Sequence, residues 1–329
     1  MKRKVTLVMI MLIIMATFAA CTGNKQPVQE QPQQESEQKQ ENQEQVQLPT
    51  KDRAGNEVTI PAEINKIISI SPSNTEIIVE LGFGDKLVAV DKYSGDIDGI
   101  PENIPYFDIM NPDVEQLVAL EPDLIYATGM SLSDGNDPFK PIKDLGITVV
   151  YIPSSDSIEG IYEDIMFIAD SLQVSEKGQE LVDNMKTKID EFKEISSTIK
   201  DEDKKTVYFE IAGAPNLYSF GSGVFLNEMI ELLGAKNILS DQDKWIAVSD
   251  EVIVSANPDI ILTNVDYIEN AVDEIKNRTG WENVTAIKNS DVYYIDRDAS
   301  SLSNHNIVKA LDQMAEVIYP EVYKKWKQK

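Results

Sequence analysis

The chain writes one short sentence twice. Residues 113–128 read DVEQLVALEPDLIYAT, and residues 249–264 read SDEVIVSANPDIILTN. Each copy opens on a good helix-capping residue, Asp113 or Ser249, and places a glutamate two residues later, Glu115 or Glu251. Pro-Asp follows each glutamate by seven residues and leads into an apolar run. A second pair agrees with the first: TEIIVELG at 75–82 and NEMIELLG at 227–234 match at four of eight positions. Self-similarity of this kind requires two units built alike.

Each unit reads as alternating strands and helices. In KIISISPSNTEIIVELGFGDKLVAV, Ile67–Ile70 is a short apolar strand, Ser73 or Asn74 can cap a helix, and Gly82 can end it in the left-handed manner. Leu87–Val90 is the next strand. The second half repeats the order: strand Val207–Ile211, a glycine-rich loop, and helix Phe225–Leu233 closed by Gly234. The further strands LIYAT, TVVYI, IILTN and VYYI are short and apolar, as in parallel sheets covered by helices. Between the halves, Leu181, Val182, Met185, Ile189, Phe192, Ile195 and Ile199 recur at spacings of three and four. They predict one helix of roughly 24 residues, about 36 Å long, with Ser175 as a plausible cap. A last helix is expected from Ile307 to about Lys327. The resulting fold class is α/β, with two lobes joined by a single long helix and a ligand cleft between them, where strand C-termini converge.

The N-terminus reads as an export signal. MKRK is basic, VTLVMIMLIIMATFAA is apolar and short for a bilayer span, and FAAC places small residues before a cysteine. Cys21, the only cysteine, is expected to carry a lipid, which leaves no thiol for disulfides or catalysis. Residues 22–48 hold ten Gln, five Glu, two Lys and no aromatic, a composition expected to stay disordered. The expected boundaries are a leader at 1–20, a tether at 21–48, one lobe at 49–172, an interlobe helix at 173–202 and a second lobe at 203–329. The formal charge of −26 argues against nucleic acid as a partner.

Catalysis finds little support. His305 is the only histidine, expected at the surface near a helix start, and no nucleophile-elbow, P-loop or HExxH spacing occurs. An exported hydrolase is the alternative class, but it would need an acid–base pair that no motif supplies. The loop aromatics say more. Tyr93, Tyr106, Phe107, Tyr151, Tyr218, Phe220 and Trp245 fall in or beside predicted loops of both lobes and suggest an apolar cleft for a large, flat ligand. Lys140, Lys143 and Arg297 are the candidate cations. Glu115 and Glu251 would stand in the first turns of equivalent short helices, where a carboxylate favours the helix dipole by about 0.3–1 kcal/mol. That local effect explains either copy alone. Two equivalent carboxylates, one per lobe, also suit a partner with paired arginines.

The leader, DRAGNEVTIP, the two repeat pairs and the strand–helix run at 66–90 together resemble the substrate-binding lipoproteins of ABC importers that carry vitamin B12, haem and ferric siderophores. The resemblance covers residues 50–329. It implies two Rossmann-like lobes on one rigid helix, the class III arrangement, with modest closure on ligand. It implies a non-enzymatic protein on the outer face of the cytoplasmic membrane, working with a permease dimer and its ATPase subunits. Glu115 and Glu251 match the family's pair that meets permease arginines. Within the vitamin B12 branch, Tyr93, Phe107, Tyr218 and Trp245 match the aromatic lining and Asp298 an acidic position. Phe107 stands where that branch has Trp, and no Arg follows Asp298 in register. The ligand implied is a cobalt corrinoid. The alternatives are a ferric siderophore held through Arg297 and the lobe-one lysines, or haem ligated by His305 or a tyrosine.

Overall fold

Two parallel sheets, each sandwiched by helices, carry the two copies of the repeat. The computed structural model describes residues 48–131 and 137–327, with side chains to residue 324, all within a compact unit spanning Gln45–Lys329. The leader, Cys21 and nearly all of the tether lie outside the described residues. The first half contains β1 (Ile67–Ser69), α1 (Pro72–Glu80), β2 (Leu87–Asp91), β3 (Tyr106–Phe107) and α2 (Val114–Ala119). It continues through β4 (Leu124–Thr128), α3 (Lys140–Asp144), β5 (Thr148–Ile152) and α4 (Ile158–Ser171). Helix α5 (Ser175–Ser196) leads to β6 (Thr206–Glu210), β7 (Tyr218–Phe220), α6 (Phe225–Leu232), β8 (Lys236–Asn237) and β9 (Trp245–Ala247). Then come α7 (Asp250–Ala256), β10 (Ile260–Thr263), α8 (Ala271–Lys276), α9 (Thr285–Asn289) and β11 (Val292–Tyr294). Helices α10 (Arg297–Ser301), α11 (Ile307–Ile318) and α12 (Pro320–Lys327) complete the chain.

Lobe one is a five-stranded sheet in the order β3-β2-β1-β4-β5, and lobe two a four-stranded sheet in the order β11-β10-β6-β8. Every pairing in both is parallel. With β1, β2, β4 and β5 set on β6, β8, β10 and β11, the strand orders coincide, so the internal repeat is a repeat of topology. An antiparallel pair, β7 with β9, is added to lobe two. All five residues of β4 and all four of β10 are buried, because helices cover both faces.

The Pro-Asp unit has a structural role that the two copies share. Glu121 and Asn257, each just before the proline, adopt left-handed backbone at φ 51° and 50°. The turn aims the next carboxylate at the start of the neighbouring first strand. Asp123 Oδ2 accepts from the Asn65 and Lys66 amides at 2.8 and 2.9 Å. Asp259 Oδ2 accepts from the Thr206 amide and hydroxyl, both at 2.8 Å. Asp113 caps α2 by accepting from the Gln116 amide at 3.1 Å, whereas the Ser249 side chain makes no such cap on α7.

Some helix ends differ from expectation. Helix α1 is capped at Ser71, with Pro72 at its first turn, rather than at Ser73 or Asn74. Helix α5 has 22 residues and begins at Ser175 itself. The C-terminal helix is broken at Tyr319, because Pro320 opens a new helix instead of continuing one.

Helix α5 buries Val182, Met185, Ile189, Phe192 and Ile195 along one stripe. Its first turn packs closely on α4: a Cβ on Gly178 would lie 2.3 Å from the Ala169 methyl. The substitution Gly178→Ala is expected to cost about 1–3 kcal/mol in chemical denaturation through overpacking. An unchanged denaturation midpoint would show that α4 and α5 can separate freely there.

Candidate functional site

A cavity of about 1020 Å³ opens between the lobes. Its walls come from the C-terminal ends of the parallel strands. Lobe one contributes one side of α1 from end to end, the loop after β2, and the turns after β4 and β5. Lobe two contributes Phe225, Trp245, α10 and the loop from α10 into α11. In each sheet the connections change direction beside the first strand, β1 or β6, which is where α/β sheets bind ligands.

The loop after β2 is held from beneath by a buried carboxyl. Asp91 accepts from the Tyr93 amide at 2.8 Å and from the Ser94 hydroxyl. Ser94 in turn meets Thr75, whose hydroxyl donates to Ser69 at 2.8 Å. Burial raises the Asp91 pKa, and these hydrogen bonds oppose the rise. Tyr93, anchored by this network, is 60% exposed in the cavity, with the Lys92 ammonium 5.0 Å from its ring centre.

Trp245 faces the cavity from lobe two at 38% exposure, braced edge-on by Phe220 at 5.9 Å between ring centres. Arg297 and Asp298 also line the cavity. Arg297 pairs with Asp266 at 3.3 Å and lies 3.9 Å from Asp298. Tyr218 does not line it: its hydroxyl donates to the Trp245 carbonyl at 3.3 Å, which supports the strand that carries Trp245. Phe107 is placed elsewhere altogether, 4% exposed in the core of lobe one. Strand β3 alternates, so Tyr106 takes the outer face and Phe107 the inner one. Tyr151 and Phe220 are likewise core residues, and Lys140 and Lys143 pair with Asp144 and Asp137 away from the cavity.

Sequence reasoning missed three of the cavity's polar residues. Glu76 and Glu80, four residues apart on α1, both line it. His305, expected at the surface, is a wall of the cavity with only 12% of its side chain exposed. Its Nε2 lies 3.8 Å from a Glu80 oxygen, and its buried Nδ1 has no hydrogen-bond partner among the described residues. The spacing of Glu76 and Glu80 was a usable signal for a shared helix face. The burial of His305 depends on the other lobe and had no local signal. Among the described residues, no group of three or more His, Cys, Asp or Glu could hold a metal ion, and no helix is long and apolar enough to cross a membrane. Glu115 and Glu251 are both exposed in the first turns of α2 and α7. The Ser249 hydroxyl bonds to Glu251 and lowers its pKa.

Two parallel α/β lobes on one long helix, with a polar and aromatic cavity at their strand ends, are the architecture of a class III substrate-binding protein. The chain belongs to the periplasmic binding protein family, whose profile matches residues 67–299. It is 34% identical over 276 residues to an uncharacterized ABC transporter substrate-binding lipoprotein, YvrC, of Bacillus subtilis, covering 83% of this chain and 86% of that one. It is 28% identical over 213 residues to a vitamin B12-binding protein of Yersinia pestis, covering 62% and 71% of the two chains. Among solved structures, a possible iron-binding (periplasmic solute-binding) protein from Staphylococcus epidermidis superposes with a TM-score of 0.68 at 32% identity. That match covers 78% of this chain and 99% of that one.

His305 gives the cavity a measurable pH dependence. Burial lowers its pKa from 6.5; Glu80 opposes the shift and Lys309 adds to it. The folded state therefore binds fewer protons than the unfolded state just below the ordinary histidine value, so His305 lowers stability as pH falls from about 7. Replacing it by His305→Gln is expected to flatten the melting temperature between about pH 7.5 and pH 5.5 relative to the parent. Parallel profiles for the two proteins would contradict a neutral, buried His305.

Proposed function

We propose that the protein is the extracytoplasmic, lipid-anchored binding component of an ABC importer, and that its ligand is a corrinoid. The observation that carries the ligand class is the charge of the cavity wall. Six carboxylates line it (Glu76, Glu80, Asp96, Asp98, Asp156 and Asp298) against the cations Lys92, Arg297 and Lys309. A corrin ring is edged by neutral carboxamides whose N–H groups donate to carboxylates, so it suits this wall. Haem propionates and anionic iron chelates would meet like charge. The volume lies at the top of the roughly 300–1,000 Å³ range for small-ligand pockets, which suits a large ligand. Tyr93 and Trp245 offer one aromatic surface from each lobe. The similarity to a vitamin B12-binding protein supports the same reading.

A ferric siderophore is the second reading. It is favoured by Lys92, Arg297 and Lys309 in the wall and by the similarity to a possible iron-binding protein. Calorimetric titration of cyanocobalamin separates the two. The expected result is a one-to-one isotherm with Kd below about 1 μM, roughly −8 kcal/mol. The affinity should fall about tenfold or more in Trp245→Ala, since exposed aromatic anchors dominate such contacts. Heat from a ferric siderophore and none from cyanocobalamin would overturn the corrinoid.

Delivery to a permease dimer and its ATPase subunits follows from the same reading. Glu115 and Glu251 offer one exposed carboxylate per lobe at equivalent positions of the repeat. Replacing both by Gln is expected to abolish ligand uptake by cells while leaving ligand affinity within about twofold, because rim charges act on docking rather than on the cavity. Normal uptake would reduce the two glutamates to helix-dipole residues.

A further inference from the structure

The second repeated stretch, TEIIVELG and NEMIELLG, has its own structural reading. Its shared glutamates are Glu76, in the second turn of α1, and Glu228, in the first turn of α6, the helices that follow the first strand of each lobe. Both are half-buried, and both reach into the other lobe. Glu228 of lobe two accepts from the Ile158 amide at 2.8 Å, at the first turn of α4 in lobe one. Glu76 of lobe one accepts through the same oxygen from the side-chain amides of Asn304 and of Asn306, the latter at 2.8 Å, at the start of α11 in lobe two. Asn304 is fully buried and is itself oriented by the Asn306 backbone amide, which donates to its carbonyl oxygen at 2.8 Å.

The correspondence extends to the targets. Helices α4 and α11 are the long helices that follow the last strand of each sheet, β5 and β11. So the first helix of each lobe sends a carboxylate to the N-terminus of the last long helix of the other. There the free backbone N–H groups and the helix dipole favour negative charge. Each bond is charge-assisted and partly sheltered from water, which makes it worth more than an exposed pair. Among the described residues, the ion pair Lys244 with Asp156 at 2.9 Å also crosses between the lobes, but it is about half-exposed on both sides and contributes little.

We infer that Glu76 and Glu228 form a reciprocal pair of interlobe clasps that holds the cleft at its ligand-ready width before any ligand arrives. Opening the lobes would strand a buried Asn304, a carboxylate and a helix N-terminus at once, so the two clasps release together. The clasps are positioning residues: Glu76 is part of the cavity wall, and its bonds fix where α1 stands relative to the loop that carries His305. The inference does not depend on which ligand is bound.

Hydrogen exchange on the ligand-free protein tests it, with Glu76→Ala, Glu228→Ala and the double variant beside the parent. The expected result is cross-cleft coupling. Glu228→Ala speeds exchange of the Asn306 amide on the far side about tenfold, and Glu76→Ala does the same for Ile158, the size expected for one charged hydrogen bond. The double variant also gains radius of gyration in small-angle scattering. Glu228→Gln, which keeps an accepting oxygen, retains protection at Ile158 and shows that the fold is intact. If each alanine speeds only the amides beside it and scattering is unchanged, the glutamates are local caps and the clasp is overturned. Neither readout uses ligand, so a failed cyanocobalamin titration leaves this test standing.

Discussion

One apolar core passes through both lobes, and everything else in the structure is arranged around it. Residues of β1, α1 and α4 in lobe one pack in the same continuous cluster as Val207, Phe209 and Met229 of lobe two. The stripe Val182, Met185, Ile189, Phe192 and Ile195 of α5 belongs to it as well. A hinge between independent domains needs two separate cores and a loosely packed linker. Here the linker is a 22-residue helix with five large side chains embedded in the shared cluster, and Gly178 lets it approach α4 at methyl contact. Large separations of the lobes would tear apolar contacts that cost roughly 25 cal/mol per Å² to expose. The cleft at the strand ends is therefore a narrow, shaped space, and small polar contacts across it can govern it.

The repeat in the sequence resolves into three physical layers. The Pro-Asp carboxylates, Asp123 and Asp259, pin the start of the first strand in each sheet and serve the fold. The helix glutamates, Glu76 and Glu228, cross the cleft and set the distance between the lobes. The remaining pair, Glu115 and Glu251, stays exposed at equivalent places on the two lobes. A duplicated fold thus presents duplicated carboxylates inward, across and outward. Asp91 adds a layer without a counterpart in lobe two, where Asn237 of β8 instead bonds to the Phe220 carbonyl and to Asn227.

How much of this was legible follows from how local each signal is. The strands and the α5 stripe read cleanly, because burial on both sheet faces and on one helix face imprints the sequence directly: five of the seven stripe residues are fully buried. The break at Pro320 went unread: one helix was expected from Ile307 to about Lys327, although proline opens helices and does not continue them. Side-chain facing in very short strands was not. Tyr106 and Phe107 are adjacent in a two-residue strand, so a shift of one position exchanges solvent for core. Aromatics after strands therefore overcounted the cleft: Phe107, Tyr151 and Phe220 pack inward, while Tyr93 and Trp245 face the cavity. His305 was expected at the surface and Glu76 and Glu80 were not singled out, because their surroundings come from the other lobe, more than 200 residues away in sequence. Nothing near them in the chain encodes that contact.

Distance measurement between the lobes bears on the central claim, that the cleft is shaped before ligand arrives. The chain from Gln45 onward has no cysteine of its own. Spin labels at Glu102→Cys in lobe one and Asn289→Cys in lobe two would therefore report a single interlobe distance by pulsed electron resonance. One narrow distribution, shifted by no more than about 2 Å when cyanocobalamin is added, is the result expected of a shared core with clasps across its cleft. A broad or two-peaked distribution without ligand, collapsing to one peak on binding, would show that ligand closes the lobes and would contradict it.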